Sequence, residues 1–199
     1  MSKEKLLVVC PGRGTYNKGE LGYLRRHHGG RSELVRYIDE LRHERGQESI
    51  FALDGLDKYS TPRHTAGENA SALIYACAYH DFLQINADKY DVVAVTGNSM
   101  GWYIALVCAG ALDTQGGAQV INTMGSMMTE GLIGGQMIYP IVDERWHPDA
   151  QKISRVDQLM SRAEVDSEAE LHISIKLGGF VVLGGNQAGL KLATEMLPA

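Results

Sequence analysis

Gly97-Asn98-Ser99-Met100-Gly101 sets a serine between two glycines, at the break between two apolar stretches. Before it, Val92, Val93 and Val95 are β-branched and predict a buried strand; after it, Trp102 to Ala109 lacks proline and internal glycine and predicts a buried helix. A serine at the tip of such a strand-turn-helix reads as a nucleophile elbow, whose chemistry is covalent attack by the hydroxyl on an acyl carbon. Without side chains at Gly97 and Gly101 the backbone can take the strained turn that pushes the hydroxyl outward. Negative charge on the attacked oxygen would meet the N–H groups at the head of the helix, that of Met100 first. The competing reading of the same residues is a glycine-rich turn capped by Asn98 or Ser99, with no catalysis.

A second loop belongs with the first. Leu6 to Cys10 predicts a buried strand, and Pro11-Gly12-Arg13-Gly14-Thr15 ends it with backbone N–H groups left exposed. A dinucleotide fingerprint would need glycine at position 17, where Asn17 stands, and lacks its acidic partner downstream. The better reading makes the main-chain amide of Arg13 a second donor to the oxyanion, beside Met100. Cys10, Cys77 and Cys108 are odd in number and lie in apolar runs, so they read as buried hydrophobes, with no disulfide, metal or redox role. His80 precedes Asp81, but adjacent helical residues face different ways, so the pair does not read as catalytic. The basic knot Arg25, Arg26, His27 and His28 reads as a solvated loop or frayed helix.

The elements that must position these residues follow from periodicity. Ser32 opens a helix with Leu34, Val35, Ile38 and Leu41 on one face and Gly46 as its stop. Residues 49–64 read as a connecting segment with a short helical turn, and 67–85 as a helix apolar nearly all round, hence buried. Residues 114–130 predict a further helix, and Gly131, Gly134 and Gly135 a domain boundary. Beyond it the pattern runs strand (136–142), helix (149–163), strand (170–175), a Gly178-Gly179 turn, strand (180–183) and helix (187–197), an order that fits a ferredoxin-like split βαβ unit. The expected class is α/β: a hydrolase-like parallel sheet with its elbow over residues 1–130, and a small ferredoxin-like subdomain over 131–199.

The 199 residues are 44 % hydrophobic and 22 % charged with a net charge of −5, which gives no broad basic surface for nucleic acid. Only Lys3 and Lys5 precede Leu6 to Cys10, too short a run for a signal peptide core or a membrane span, so a cytoplasmic protein with no membrane partner is expected.

Several separated stretches, in the same order, resemble the malonyl-CoA:acyl carrier protein transacylases and the acyltransferase domains of fatty acid and polyketide synthases. Cys10-Pro11-Gly12-Arg13-Gly14-Thr15-Tyr16 is similar to that family's FPGQGSQ, and Gly97 to Tyr103, running on to Ala109-Gly110-Ala111-Leu112, to its GHSLGEY and AGAL. Glu68-Asn69-Ala70 stands where the family has its QPA helix start, Met124-Gly125 where it has Arg-Gly, and Gly178 to Gly184 resembles its SPGQVVISG hairpin. The resemblance implies ping-pong acyl transfer: Ser99 takes an acyl group from a coenzyme A thioester and yields it to the thiol of an acyl carrier protein. It implies no bound cofactor, since coenzyme A enters as substrate.

The departures from the family pattern carry expectations of their own. Asn98 stands for a histidine and Trp102 for a glutamate, both beside the acyl group. Met124 stands where the family has the arginine that grips a malonyl carboxylate, and no arginine occurs between Arg63 and Arg145. Those three residues therefore imply an acyl pocket for uncharged groups. The family's catalytic histidine follows the small subdomain, so the chain is expected to be the N-terminal portion of a longer protein that supplies the base. A serine hydrolase acting on carrier-protein thioesters and a non-catalytic acyl or carrier-binding module remain as alternatives.

Overall fold

The computed structural model describes residues 2–30, 32–130 and 134–198. Gly131, one of the expected boundary glycines, lies outside the described residues. The chain divides into two compact units, Met1–Gly131 and Leu132–Ala199.

In the first unit β1 (Glu4–Cys10) runs parallel to β2 (Tyr90–Gly97), with Leu6 opposite Val92 and Cys10 opposite Gly97. Parallel neighbours need a long crossover, here α1 (Tyr23–His28), α2 (Glu33–Glu44), α3 (Ile50–Asp54), α4 (Thr61–His64) and α5 (Gly67–Leu83). After β2 come α6 (Gly101–Cys108) and α7 (Thr114–Glu130), and α5 packs against both. Ser32 caps α2 by accepting from the Val35 amide at 3.2 Å. The core joins Cys10, Val35, Ile38, Leu73, Ile74, Tyr75, Ile104 and Ile121. α5 is buried along its first turns, in keeping with its all-round apolar sequence.

Two expectations of burial need correction, and a buried cation stands beside them. Arg42, on the apolar face of α2, is fully buried; it donates to the Glu48 carbonyl at 2.7 Å, the Glu68 carbonyl at 2.8 Å, the Asn122 amide oxygen at 3.0 Å and the Asn69 amide oxygen. A guanidinium out of water is tolerable only with such a set of acceptors. The strands are not buried on both sides: Leu7 is 57 %, Val9 64 % and Val93 54 % exposed, while Leu6, Val8 and Cys10 turn inward. The sheet holds two strands among the described residues, so a full hydrolase-like sheet is not what these residues form by themselves. Helix α6 is also wet on one face, with Trp102 and Leu106 exposed.

The second unit contains β3 (Gly135–Pro140), α8 (Ala150–Glu164), β4 (Leu171–Lys176), β5 (Phe180–Gly185) and α9 (Gln187–Met196). Its strands form an antiparallel sheet ordered β3-β5-β4, so the hairpin strand β5 inserts between the two strands joined by α8. A ferredoxin-like unit has a further strand after its second helix; the sheet here has three among the described residues. Tyr139, Leu159, Leu171, Leu183 and Ala193 make its core, and Asp149 and Asn186 cap its helices. The whole is a mixed α/β protein. No helix among the described residues is long and apolar enough to cross a membrane.

Candidate active site

Ser99 sits at the turn between β2 and α6 with φ 53°, in the left-handed region that side chains rarely adopt. The left-handed strain falls on the serine, whereas Gly97 and Gly101 are not in that region. The two glycines serve close approach instead. A Cβ on Gly97 would stand 2.3 Å from the Gly101 carbonyl, and one on Gly101 would stand 2.3 Å from the carbonyl oxygen of Cys10 at the end of β1. The turn is thus pressed against itself and against the first strand, which holds Ser99 outward and exposed.

The loop after β1 meets this turn. A Cβ on Gly12 would lie 2.7 Å from the Asn98 carbonyl oxygen and 3.4 Å from the Ser99 Cβ, so only glycine lets the loop approach the serine so closely. The structure therefore brings Arg13, Asn98, Ser99 and Met100 together. The Met100 and Arg13 main-chain amides have no hydrogen-bond acceptor among the described residues, whereas the Gly101 and Trp102 amides close the first turn onto Asn98 and Ser99. Met100 adjoins Ser99 and Arg13 adjoins the glycine that touches it, and an unengaged main-chain N–H is the kind of donor an oxyanion draws on.

A polar cluster fixes the loop from behind. Tyr16 donates to Asp54 at 2.7 Å, Asp54 accepts from the Leu24 and Arg25 amides at 3.2 Å each, and Tyr59 donates to the Tyr16 carbonyl at 3.2 Å. Burial and then the Asp54 bond push the Tyr16 pKa up, so the phenol stays protonated and donating. The ring of His64 stacks on Tyr16 and Tyr59, and its nitrogens bond to Ser60 and to the Leu53 carbonyl. His64 is structural.

Trp102 is on the exposed face of α6. Met124 is half-buried and lines a cavity of about 450 Å³ with Leu41, Arg45, Gln119, Val120 and Thr123, on the side of α7 that faces α2. An arginine, Arg45, does share that cavity although it precedes the interval from Arg63 to Arg145. The three cysteines are free and are buried or half-buried; burial raises the Cys10 thiol pKa, and burial and then Cys10 raise that of Cys108 to about 12, which leaves both unreactive at neutral pH.

Sequence reasoning missed a pairing. Asp81 meets His28 of α1, not its neighbour His80: Nε2 of His28 lies 3.0 Å from Oδ1 of Asp81, and Tyr23 donates to the same carboxylate at 3.2 Å. No spacing rule links positions 28 and 81, so the chain carried no signal for it. Asp81 borders an apolar groove of about 490 Å³ along β1, of which Ser99 is not a wall. Among the described residues no cluster of histidine, cysteine and carboxylate is arranged to hold a metal ion.

Neither a protein-family model nor a curated protein matches the chain. Solved structures do. A malonyl-transacylase in complex with its type II PKS acyl-carrier protein is 17 % identical with a TM-score of 0.72, over 98 % of this chain and 59 % of that one. The MCAT from Mycobacterium tuberculosis is 20 % identical with a TM-score of 0.71, over 96 % and 59 %. A loading acyltransferase from the avermectin modular polyketide synthase is 18 % identical with a TM-score of 0.63, over 96 % and 57 %. The chain thus spans under two thirds of the length of the structures it matches, and at these identities the likeness is one of fold. The fold of this chain is that of the malonyl-CoA:acyl carrier protein transacylases and polyketide-synthase acyltransferase domains, over 59 % of the length of the first two.

Proposed function

We propose that this chain takes part in acyl transfer from coenzyme A to an acyl carrier protein, in fatty acid or polyketide synthesis, through an ester on Ser99. The observation that carries the reading is the exposed, left-handed Ser99, with the unengaged amide of Met100 next to it and that of Arg13 in the loop whose Gly12 presses on it. The fold it shares with transacylases supports the same reaction class.

In the first half-reaction Oγ of Ser99 bonds to the thioester carbonyl carbon, the carbonyl oxygen takes up negative charge against the two amides, and the carbon–sulfur bond breaks. The proton lost by Oγ goes to the departing coenzyme A thiolate. In the second, the phosphopantetheine thiol of the carrier attacks the ester and returns the proton to Ser99. Splitting one transfer into two lets a single oxyanion site serve both steps. On this reading Asn98 and Trp102 border the acyl group, the parallel strands belong to a hydrolase-like sheet, and coenzyme A is a substrate, with no resident cofactor. A cytoplasmic location goes with those substrates.

The test is incubation of the chain with a labelled acyl-CoA and holo carrier protein, followed by intact mass of both proteins and assay of free acid. Label on Ser99 that moves to the carrier supports transfer. Free acid at the same rate, with no acylated carrier, assigns hydrolysis instead.

A further inference from the structure

The loop after β1 is braced against itself. The Thr15 hydroxyl donates to the Gly12 carbonyl at 3.1 Å, the Asn17 side-chain amide to the Gly14 carbonyl at 3.0 Å, and the Asn17 main-chain amide to the Glu20 carboxylate at 2.7 Å. A loop tied in this way shifts as one piece more readily than it bends. Its front end is Gly12, where a Cβ would stand 3.4 Å from the Cβ of Ser99 and 2.7 Å from the Asn98 carbonyl oxygen. Where the piece is fastened to the core therefore decides how Gly12 meets the elbow and where the amide of residue 13 is presented.

The fastening is Tyr16. Its hydroxyl donates to Oδ1 of Asp54, at the end of α3, and accepts from the Gly22 amide at 3.2 Å. Tyr16 is 4 % and Asp54 1 % exposed, and Asp54 makes no ion pair among the described residues. The carboxylate is met by three donors instead: Tyr16 and the Leu24 amide on Oδ1, and the Arg25 amide on Oδ2. A carboxylate out of water is costly without such donors, and at 2.7 Å the Tyr16 bond is the shortest of them. The Tyr16 ring stacks on His64 without help from its hydroxyl, so phenylalanine would fill the same space. What the hydroxyl adds is the bond that ties the loop to a buried acid.

We propose that Tyr16 and Asp54 are positioning residues for the reaction at Ser99: their bond sets the seat of the loop, and through it the approach of Gly12 to the elbow and the presentation of the residue 13 amide. The inference rests on the acyl-transfer reading and deepens it, naming two side chains that act through the loop and touch no substrate. Their loss is felt in the rate of ester formation and not in binding, because a misplaced donor matters where charge develops on the attacked oxygen.

The experiment measures the limiting rate of Ser99 acylation by acetyl-CoA, and the acetyl-CoA concentration at half that rate, in the wild type, Tyr16→Phe, Asp54→Asn, the double variant and Tyr75→Phe. Tyr75 is the control, a buried tyrosine whose hydroxyl donates to the Thr114 carbonyl at 2.9 Å, outside this loop. Tyr16→Phe is expected to lower the limiting rate about ten- to a hundredfold and to leave the half-saturating concentration within about twofold. Tyr75→Phe gives up a bond of the same kind and should keep the wild-type rate. Tyr16 and Asp54 act through one bond, so the double variant should lose less than the product of the two single losses. Amide hydrogen exchange at residues 12–15 should quicken in Tyr16→Phe and not in Tyr75→Phe. A wild-type rate in Tyr16→Phe, unchanged exchange in its loop, a loss that Tyr75→Phe shares, or single losses that multiply in full would each overturn the proposal. A fluorophosphonate probe separates this inference from the reading beneath it, because attack of Ser99 on phosphorus also puts negative charge on an oxygen. A wild type that takes the probe but no acyl group sinks the transfer reading alone, and slower probe labelling of Tyr16→Phe then upholds the positioning role.

Discussion

Ser99 and Trp146 are the two non-glycine residues with positive φ among the described residues, at 53° and 62°, one in each unit. Their surroundings differ in kind. Around Trp146 the backbone is satisfied: its amide donates to the Asp143 carbonyl at 3.1 Å, the Arg145 and His147 amides donate to Oδ1 of Asp143, and the Asp143 main-chain amide donates to the His147 carbonyl at 2.9 Å. Its ring packs edge-on against Phe180. Around Ser99 the side chain is exposed, and the Met100 and Arg13 amides have no acceptor among the described residues. Strain of this order, about 1–2 kcal/mol, occurs at both, so strain alone does not mark a site. What differs at Ser99 is an exposed hydroxyl with amides nearby along the chain and in the adjoining loop that have no acceptor among the described residues.

The largest effect should come from removing the proposed nucleophile. Ser99→Ala is expected to abolish all covalent labelling by acyl-CoA or by a fluorophosphonate probe, whereas Trp146→Ala should keep it, as read by intact mass and peptide mapping. Label that survives in Ser99→Ala would erase the contrast between the two turns.

Next in size is the close packing that holds the elbow. Gly101→Ala would force a methyl to 2.3 Å from the Cys10 carbonyl oxygen, backbone against backbone, and is expected to cost about 1–3 kcal/mol or more in urea unfolding. Gly178→Ala, at a φ of 72° with open space around it, should cost only about 1–2 kcal/mol. Equal costs would mean that the elbow is looser than its contacts imply.

Relief of strain gives a smaller effect of opposite sign. Ser99→Gly is expected to stabilise the chain by about 1 kcal/mol while eliminating acylation. Trp146→Gly should gain less, because it also forfeits the ring packing on Phe180, worth about 0.5–1.5 kcal/mol. Matched unfolding curves for the two variants check this.

The smallest effect concerns His28, a buried side chain paired with the exposed carboxylate of Asp81 away from Ser99. Its side chain is 2 % exposed, and burial outweighs Asp81 in holding its pKa below the ordinary 6.5. In the unfolded chain it binds a proton near pH 6.5 that the folded chain still refuses. Stability from this group is therefore full above pH 6.5 and is lost as the pH falls through that value toward the folded pKa. His28→Gln should flatten that part of the stability profile and leave Ser99 labelling as it was. A labelling rate that follows His28 would tie the pair to catalysis.

Much of this was legible in the chain because it is local. The bounds of α7, the cap at Ser32 and the strand-helix-strand-strand-helix order of the second unit depend on periodicity and on residues a few positions apart. So does the elbow, where a glycine, serine and glycine at fixed spacing demand one turn geometry. The sequence could not say that Gly97 and Gly101 act by contact, since their neighbours are each other and the end of a strand some ninety residues earlier. Nor could it separate Arg42, buried by acceptors from α5, α7 and the loop after α2, from an exposed helical arginine. Periodicity names the inward face of a strand but not whether anything covers the other, which is why Leu7, Val9 and Val93 were expected inside. Met124 makes the same point. Which face of α7 meets α2 is settled by helix packing across the whole unit, because a side chain's partners are set by its distance in space and only its turn by its distance along the chain.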